Sequence, residues 1–226
     1  MNDKQYKYQI WVESKLKRNN LIKQGLEFYA QNQTVIFNKY PNLRKEVAVN
    51  SRYLHRGYYC PSPIQDLIVD NARRGKILKR ETARSNPTHY YYFDAKNRLL
   101  ISKWDSYTGS IYTEYLSYSG DYIYGYAFDD SGNLVSVSEE YYQSGQIASY
   151  FRFSCYNNEI RPRYDSITSA EFEKYWYNET GISKANFYFC GLWSDVIESE
   201  DVADIMVQGG HYQFSKGKDG LILLSP

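Results

Sequence analysis

The sequence predicts an α+β fold in which N-terminal helices pack on a long antiparallel β-meander of repeated hairpins. Apolar residues near the start of the chain recur among Lys, Arg, Gln and Asn at helical spacing. A hairpin motif returns about every 35 residues over 88–190, and 18 of the 26 tyrosines fall in that range. Tyrosine, isoleucine and valine suit the half-buried surface of a pleated sheet, so the repeated part is predicted to be β.

Residues 1–87 are predicted to be a basic, mainly helical part. The first helical region runs from about Lys4 to Phe37, with Asn19-Asn20 and Gly25 as places where it would be interrupted. A second helix is predicted from Ser62, its N-cap, to Gly75 just past its end. The segment 76–80 is then expected to begin the sheet.

The hairpin motif is aromatic-x-x-x-Gly-x-aliphatic. It stands at Phe128-Asp-Asp-Ser-Gly132-Asn-Leu134, and the segment from Tyr141 to Ile147 has the same spacing. Glycine supplies the positive φ that a short hairpin loop needs, and Asn97 takes its place in the first copy because Asn tolerates that region best after Gly. Strands are therefore predicted between these turns up to residue 190, including 169–177. Three short strands are expected afterwards at 202–207, 212–214 and 221–224.

The sign of the net charge changes along the chain at the same point, near residue 87, at which the predicted structure changes from helix to strand. Residues 1–87 contain 17 Lys and Arg against 7 Asp and Glu, whereas 88–226 contain 10 against 19. We interpret 88–226 as an acidic, Tyr-rich antiparallel β-meander that forms one continuous structural unit with the basic part. The start of the chain lacks the apolar stretch of a signal peptide, so a cytoplasmic protein is expected.

The familiar sequence signatures of catalysis and metal binding are absent. The sequence has no phosphate-binding loop, dinucleotide-binding glycine pattern or zinc-protease motif, and its three cysteines form no Cys-x-x-Cys pair. The histidines, His55, His89 and His211, are far apart, and Glu139 and Glu140 are neighbours on a strand and so point to opposite faces. We therefore expect a protein that is not an enzyme, without cofactor or metal.

Aromatic and acidic side chains in the repeats predict a surface for a protein partner. Tyrosine covers much area at a low cost in conformational entropy, and carboxylates attract a basic partner. Tyrosine ladders also stabilise a sheet, and Asp in a hairpin loop often serves the turn itself, so both structural explanations stay open. The candidate partner-binding residues are Asp129, Asp130, Glu139, Glu140, Tyr141, Tyr142, Glu171, Glu173 and Tyr175.

The Tyr-x-Phe-Asp-x-x-Gly-x-Leu pattern, present at 126–134 and nearly so at 91–99, resembles the tyrosine-aspartate repeats of secreted bacterial toxin shells. The Tyr-x-x-x-Gly-x-Ile units also resemble the immunity or antitoxin proteins with short β-hairpin repeats that accompany such toxins. The resemblance covers roughly 88–190 and implies a cytosolic protein that binds the catalytic domain of a toxin and blocks its active site. A nuclease toxin, basic around its substrate site, would suit the acidic β part.

Two other functions remain open from the sequence. A basic cluster could contact the phosphates of a nucleic acid; its members are Arg73, Arg74, Lys76, Lys79, Arg80 and Arg84. A carbohydrate-binding site or an enzyme site assembled only by folding would instead predict a deep pocket lined by Tyr, Trp and one His. Edge strands of an open sheet would in addition permit a homodimer.

Overall fold

The computed structural model describes residues 3–32, 42–82, 84–105, 110–154, 168–192, 206–218 and 220–225. The elements in chain order are α1 Asp3–Asn32, β1 Arg44–Val49, α2 Gln65–Ile68, β2 Lys76–Ile77, β3 His89–Phe93, β4 Leu99–Asp105, β5 Ile111–Ser119, β6 Tyr122–Phe128, β7 Leu134–Gln143, β8 Gln146–Ser154, β9 Thr168–Asn178, β10 Gly181–Leu192, β11 Met206–Gly217 and β12 Gly220–Ser225. The described strands form one antiparallel sheet in the order β2-β1-β3-β4-β5-β6-β7-β8-β9-β10-β11-β12. The predicted α+β class and the antiparallel meander are confirmed.

The repeated motif forms hairpin turns as predicted. Gly132 and Gly145 have φ of 83° and 78°, and Asn97 has φ of 63° in the equivalent place. Asp94 and Asp129 fix two of these turns, because each Oδ1 accepts hydrogen bonds from the backbone N–H groups two and four residues later. The predicted repeat glycine at 109 and the segment 155–167 lie outside the described residues.

The first predicted helical region is one continuous helix, α1, that Asn19-Asn20 and Gly25 do not interrupt. Gly25 instead lets the helix approach the sheet, because a Cβ there would lie only 2.9 Å from Tyr126 Cδ1. The face of α1 that meets the sheet is formed by Leu21, Ile22, Phe28 and Tyr29. Among the described residues, none of the helices combines the length and apolarity that crossing a membrane requires.

The second predicted helix is much shorter than expected. Ser62 Oγ does accept the backbone N–H of Gln65 at 3.1 Å, but α2 makes a single turn and ends at Ile68. The prediction of several packed helices is thus wrong for the described part of the chain, where one long helix covers the sheet. Residues 50–75 form turns, a short 3-10 helix at Gly57–Tyr59 and the single turn of α2, and their buried side chains pack against the strands below them.

These two coverings lie on opposite faces of the sheet. The helix face carries an apolar core around Tyr126, Phe128 and Phe151, against which α1 packs. The segment face lies beneath residues 50–75 and includes polar as well as apolar side chains, among them the fully buried Glu114 and Glu173. We call the end of the sheet with the turns at 120–121 and 144–145 the upper end, and the end with the turn at 129–133 the lower end.

The last strands are longer and fewer than predicted. Two strands, β11 and β12, replace the expected short strands at 212–214 and 221–224, and β11 pairs with β10 from Met206 onward. The part of the first expected strand at 202–205 lies outside the described residues. The 169–177 segment is confirmed as strand, within β9.

Candidate functional site

Glu139 and Glu140 point to opposite faces, as their adjacency on β7 predicts. Glu139 lies on the helix face and forms an ion pair with Lys17 of α1 at 2.5 Å. Glu140 lies on the segment face, is 2 % exposed and pairs with Arg56. Both carboxylates are therefore paired with cations of the basic N-terminal part inside the molecule.

Arg56 is the centre of a buried ionic network on the segment face. Its guanidinium donates to Glu114 Oε2 at 2.7 Å, to Glu140 and to Ser138 Oγ at 3.0 Å. Burial alone would raise the pKa of Glu114, but the positive charge of the Arg56 guanidinium holds this pKa well below its usual range. Glu114 is therefore ionised and the network ties residues 50–56 to the middle of the sheet.

A second buried network lies two strands further along the same face. Glu173 is fully buried, and its carboxyl group contacts Gln65 Nε2 at 3.3 Å and the Tyr175 hydroxyl. The Tyr175 hydroxyl also lies 3.1 Å from Ser62 Oγ. Burial raises the pKa of Glu173 well above its usual range, because no guanidinium contacts it as one contacts Glu114. This network fixes the start of α2 to β9.

These networks correct part of the predicted partner surface. Glu140, Glu173 and Tyr175 are 2 %, 0 % and 5 % exposed and are used in holding residues 50–75, so they offer no surface to a partner. Glu171 is half-buried on the same face, where it accepts from Gln65 Nε2 at 3.0 Å. Tyr142 is also half-buried and donates to Glu140 Oε2 at 2.8 Å.

The remaining predicted residues are divided between the two ends of the sheet. Asp129 and Asp130 lie at the lower end in the β6–β7 turn; Asp129 serves the turn, and Asp130 is exposed. Tyr141 lies at the upper end of the helix face. The structure therefore does not bring the acidic turn and the tyrosine together into one surface.

Tyr141 belongs to a stacked group with two tyrosines of β6, Tyr122 and Tyr124. The ring of Tyr122 stacks on Tyr141 with centroids 4.8 Å apart, and on Tyr124 at 5.9 Å with an interplanar angle of 6°. Tyr122 is 37 % exposed and follows the exposed Asp121 in the turn. We call these three residues the tyrosine cluster. The strand pairing Tyr122–Tyr141 and Tyr124–Glu139 holds their backbones in a fixed arrangement.

The predicted phosphate-binding cluster is exposed except for Arg74. Arg74 is half-buried, where it donates to Asp66 Oδ2 at 2.9 Å and to the Cys60 carbonyl at 3.0 Å. Arg73 donates to the carbonyl of Ala72 at 2.6 Å. Arg73, Lys76, Lys79, Arg80 and Arg84 are exposed. Arg74 thus has a structural role in the 60–74 segment.

Two of the three histidines come together at the lower end of the segment face, whereas His211 is on β11. His55 Nδ1 lies 2.7 Å from the Tyr150 hydroxyl, and Nε2 lies 3.1 Å from Glu114 Oε1. Burial lowers the pKa of His55 to about 3 and that of His89 to about 4, so both rings are neutral at pH 7. The ionised Glu114 favours the proton of His55 on Nε2.

A cleft of about 570 Å³ opens beside these histidines, between residues 50–56 and the sheet. One wall consists of aromatic rings: His89 stacks on Trp104 with centroids 6.4 Å apart, and Trp104 contacts Tyr112 at 5.7 Å. The floor includes Ser136 of β7 and Arg152 of β8. We call this the lower cleft. Sequence reasoning missed Ser136, Arg152 and the pairing of the two histidines, because only the strand order places these distant positions side by side.

The lower cleft and the tyrosine cluster are on opposite faces and at opposite ends of the sheet. The chain matches no protein-family model, no curated protein and no solved structure. These two features are therefore the basis on which a function can be argued.

Proposed function

We propose that the protein is a non-catalytic binding module that acts as an immunity protein, covering the active site of a bacterial toxin domain. The observation that carries this proposal is the tyrosine cluster, a rigid stack of rings with Tyr122 exposed at the upper end of the helix face. Stacked rings on paired strands lose little entropy on binding, and tyrosine is prominent among the residues that dominate interface energies.

The hairpin-repeat resemblance supports a toxin as the partner. The motif residues Phe128, Gly132 and Leu134 form a turn of the predicted kind, so the pattern on which the resemblance rests is a real structural unit. Immunity proteins of that kind act by steric cover and need no catalytic group. Such an inhibitor would form one stable complex without turnover.

Electrostatic attraction has a smaller part in this proposal than the sequence suggests. Glu139 is paired with Lys17, and Glu140 with Arg56. The carboxylates left to face a partner near the cluster are exposed ones such as Asp121. We therefore expect aromatic contact to supply most of the affinity, with charge mainly raising the association rate.

The test is capture followed by a growth assay. The tagged chain is used to retain proteins from the cells that produce it, and each retained protein is then expressed alone and together with the chain. A protein bound in equal amounts that stops growth alone but not with the chain supports the proposal. Retention of nothing, or only of proteins without toxicity, contradicts it.

Paired variants locate the surface. Changing Tyr122 and Tyr141 together to Ala is expected to weaken toxin binding about tenfold or more and to restore toxicity, because the aromatic anchor is lost. Tyr58→Ala is the control, since Tyr58 is 39 % exposed but belongs to the 57–59 turn next to residues 50–56. Equal binding by the double variant and the control would place the interface elsewhere.

A further inference from the structure

The lower cleft contains buried polar atoms that have no hydrogen-bond partner among the described residues. Apart from His55 Nε2, which lies 3.1 Å from the carboxylate of Glu114, these atoms are Ser136 Oγ and Arg152 Nε, and both residues line the cleft. Ser136 is 3 % exposed. A buried polar group without a partner costs roughly 1–3 kcal/mol, so a ligand that pairs with both groups gains affinity there.

The wall beside these atoms is aromatic, and the rings of Trp104 and Tyr112 in it are tilted by 50° to each other. Trp104 and Tyr112 are half-buried, and His89, a neutral ring, stacks on Trp104. The face of an aromatic ring carries partial negative charge, which attracts the polarised C–H bonds on the face of a saturated ring that bears oxygen atoms. This wall suits a flat ligand that is apolar on its faces and polar at its edges.

The charges around the cleft do not favour an anion. Arg56 is compensated by Glu114 and Glu140, and Arg152 has Glu171 Oε1 at 3.6 Å. The exposed residues that line the cleft include one cation, Arg52, and one anion, Asp105. The cleft therefore has a hydrogen-bond donor and a hydroxyl group that lack partners, whereas its buried positive charges already have carboxylates beside them.

We propose that the lower cleft binds a neutral saccharide, one sugar ring of which stacks on Trp104 while its hydroxyl groups pair with Arg152 Nε and Ser136 Oγ. A sugar hydroxyl both accepts and donates, so it satisfies a guanidinium and a serine with the same group. The volume of about 570 Å³ admits one or two sugar rings and falls within the usual range for small-molecule sites, about 300–1,000 Å³.

The first experiment presents the full chain to a printed array of neutral, sialylated and sulfated oligosaccharides. Binding to neutral glycans that share a terminal sugar is the expected result. Binding to none, or only to the sialylated and sulfated ones, overturns the proposal; in the latter case the ligand is an anion.

The second experiment measures the affinity for the best neutral glycan by titration calorimetry. Ser136→Ala is expected to weaken binding about threefold to tenfold, the range for one neutral hydrogen bond. Ser102→Ala is the matched control, because Ser102 Oγ is also buried and without a partner among the described residues but is not part of the cleft lining. Equal affinities of the two serine variants overturn the assignment.

A further variant tests the guanidinium without removing its charge. Arg152→Lys keeps a cation near Glu171 and loses the Nε donor, so weaker glycan binding with an unchanged melting temperature is expected. Unchanged glycan affinity in this variant contradicts the role of Arg152. None of these changes should affect capture of a toxin by the tyrosine cluster, so this proposal and the proposed function can fail separately.

Discussion

At the scale of single residues, Gly125 shows how the buried network constrains the sequence. It lies on β6 beneath the side chains of the Arg56 network. A Cβ at this position would overlap with Glu114 Oε1 and Ser138 Oγ and would lie 2.6 Å from Arg56 Nη2. The space that a side chain would need is filled by the ion pair. Glycine is required here for its size, since no positive φ is involved.

We predict that Gly125→Ala lowers the free energy of unfolding by about 3 kcal/mol, because the methyl group displaces buried charges from their partners. Gly210→Ala is the control: Gly210 lies in β11 with open space around its Cβ position and no positive φ. Chemical denaturation of both variants measures the effect. A loss of stability no larger at position 125 than at 210 would show that the network has room to adjust.

At the scale of elements, α1 is held by one stripe of its surface. Leu21 is 2 % exposed, and Tyr29 stacks on Phe128 with centroids 4.2 Å apart. Leu16 and Leu26 are among the apolar residues at helical spacing in the same helix, yet they are 65 % and 49 % exposed. The contact stripe includes Arg18, Leu21, Gly25 and Phe28. A glycine and a guanidinium, which lies over the Phe153 ring, thus take places that a hydropathy pattern does not count.

We therefore expect Leu21→Ala to destabilise the fold by about 3 kcal/mol through the cavity that it leaves against the sheet. Leu16→Ala, in the same helix, should change stability by less than about 0.5 kcal/mol because Leu16 is largely in water. Thermal and urea unfolding of the two variants gives the comparison. Similar losses at both positions would mean that α1 packs through a different stripe.

At the scale of the whole molecule, α1 packs on one face of the sheet and residues 50–75 on the other. Titratable side chains are buried on the segment face. Burial lowers the pKa of His55 to about 3 and of His89 to about 4, whereas it raises that of Glu173. Lowered histidine pKa values favour folding above pH 6.5 and cost stability as the pH falls. Glu173 has the opposite effect on stability. The fold favours its protonated form, so its contribution to stability is lost as the pH rises and the carboxyl group ionises.

The contribution of His89 can be separated from the others with His89→Asn. The unfolded chain takes up a proton near pH 6.5 and the folded one only near pH 4, so the wild type loses stability between these values. We expect the stability difference, wild type minus variant, to fall by about 2 kcal/mol between pH 7 and pH 5. Urea unfolding at several pH values measures it, and a constant difference would show that His89 titrates alike in both states.

Local chemistry explains why much of the sheet was predictable. Turn residues such as Gly132 and Asn97 impose positive φ, and alternating Tyr, Ile and Val fill the strands between them, so each hairpin follows from about 15 neighbouring residues. The opposite orientation of Glu139 and Glu140 follows from the two-residue period of a strand alone. The α+β class and the meander order from β3 to β12 needed no long-range information, whereas β1, which lies between β3 and β2, falls in the part predicted to be mainly helical.

The candidate sites needed tertiary structure. A strand pattern does not say which face is covered, so the burial of Glu140, Glu173 and Tyr175 became evident only when residues 50–75 were found against that face. The same covering shortened the second helix, because packing of individual side chains outweighed its capping signals. The sequence by itself determined the hairpins and their order; tertiary structure decided which side chains meet, since Arg56 reaches Glu114 and Glu140 across 58 and 84 residues.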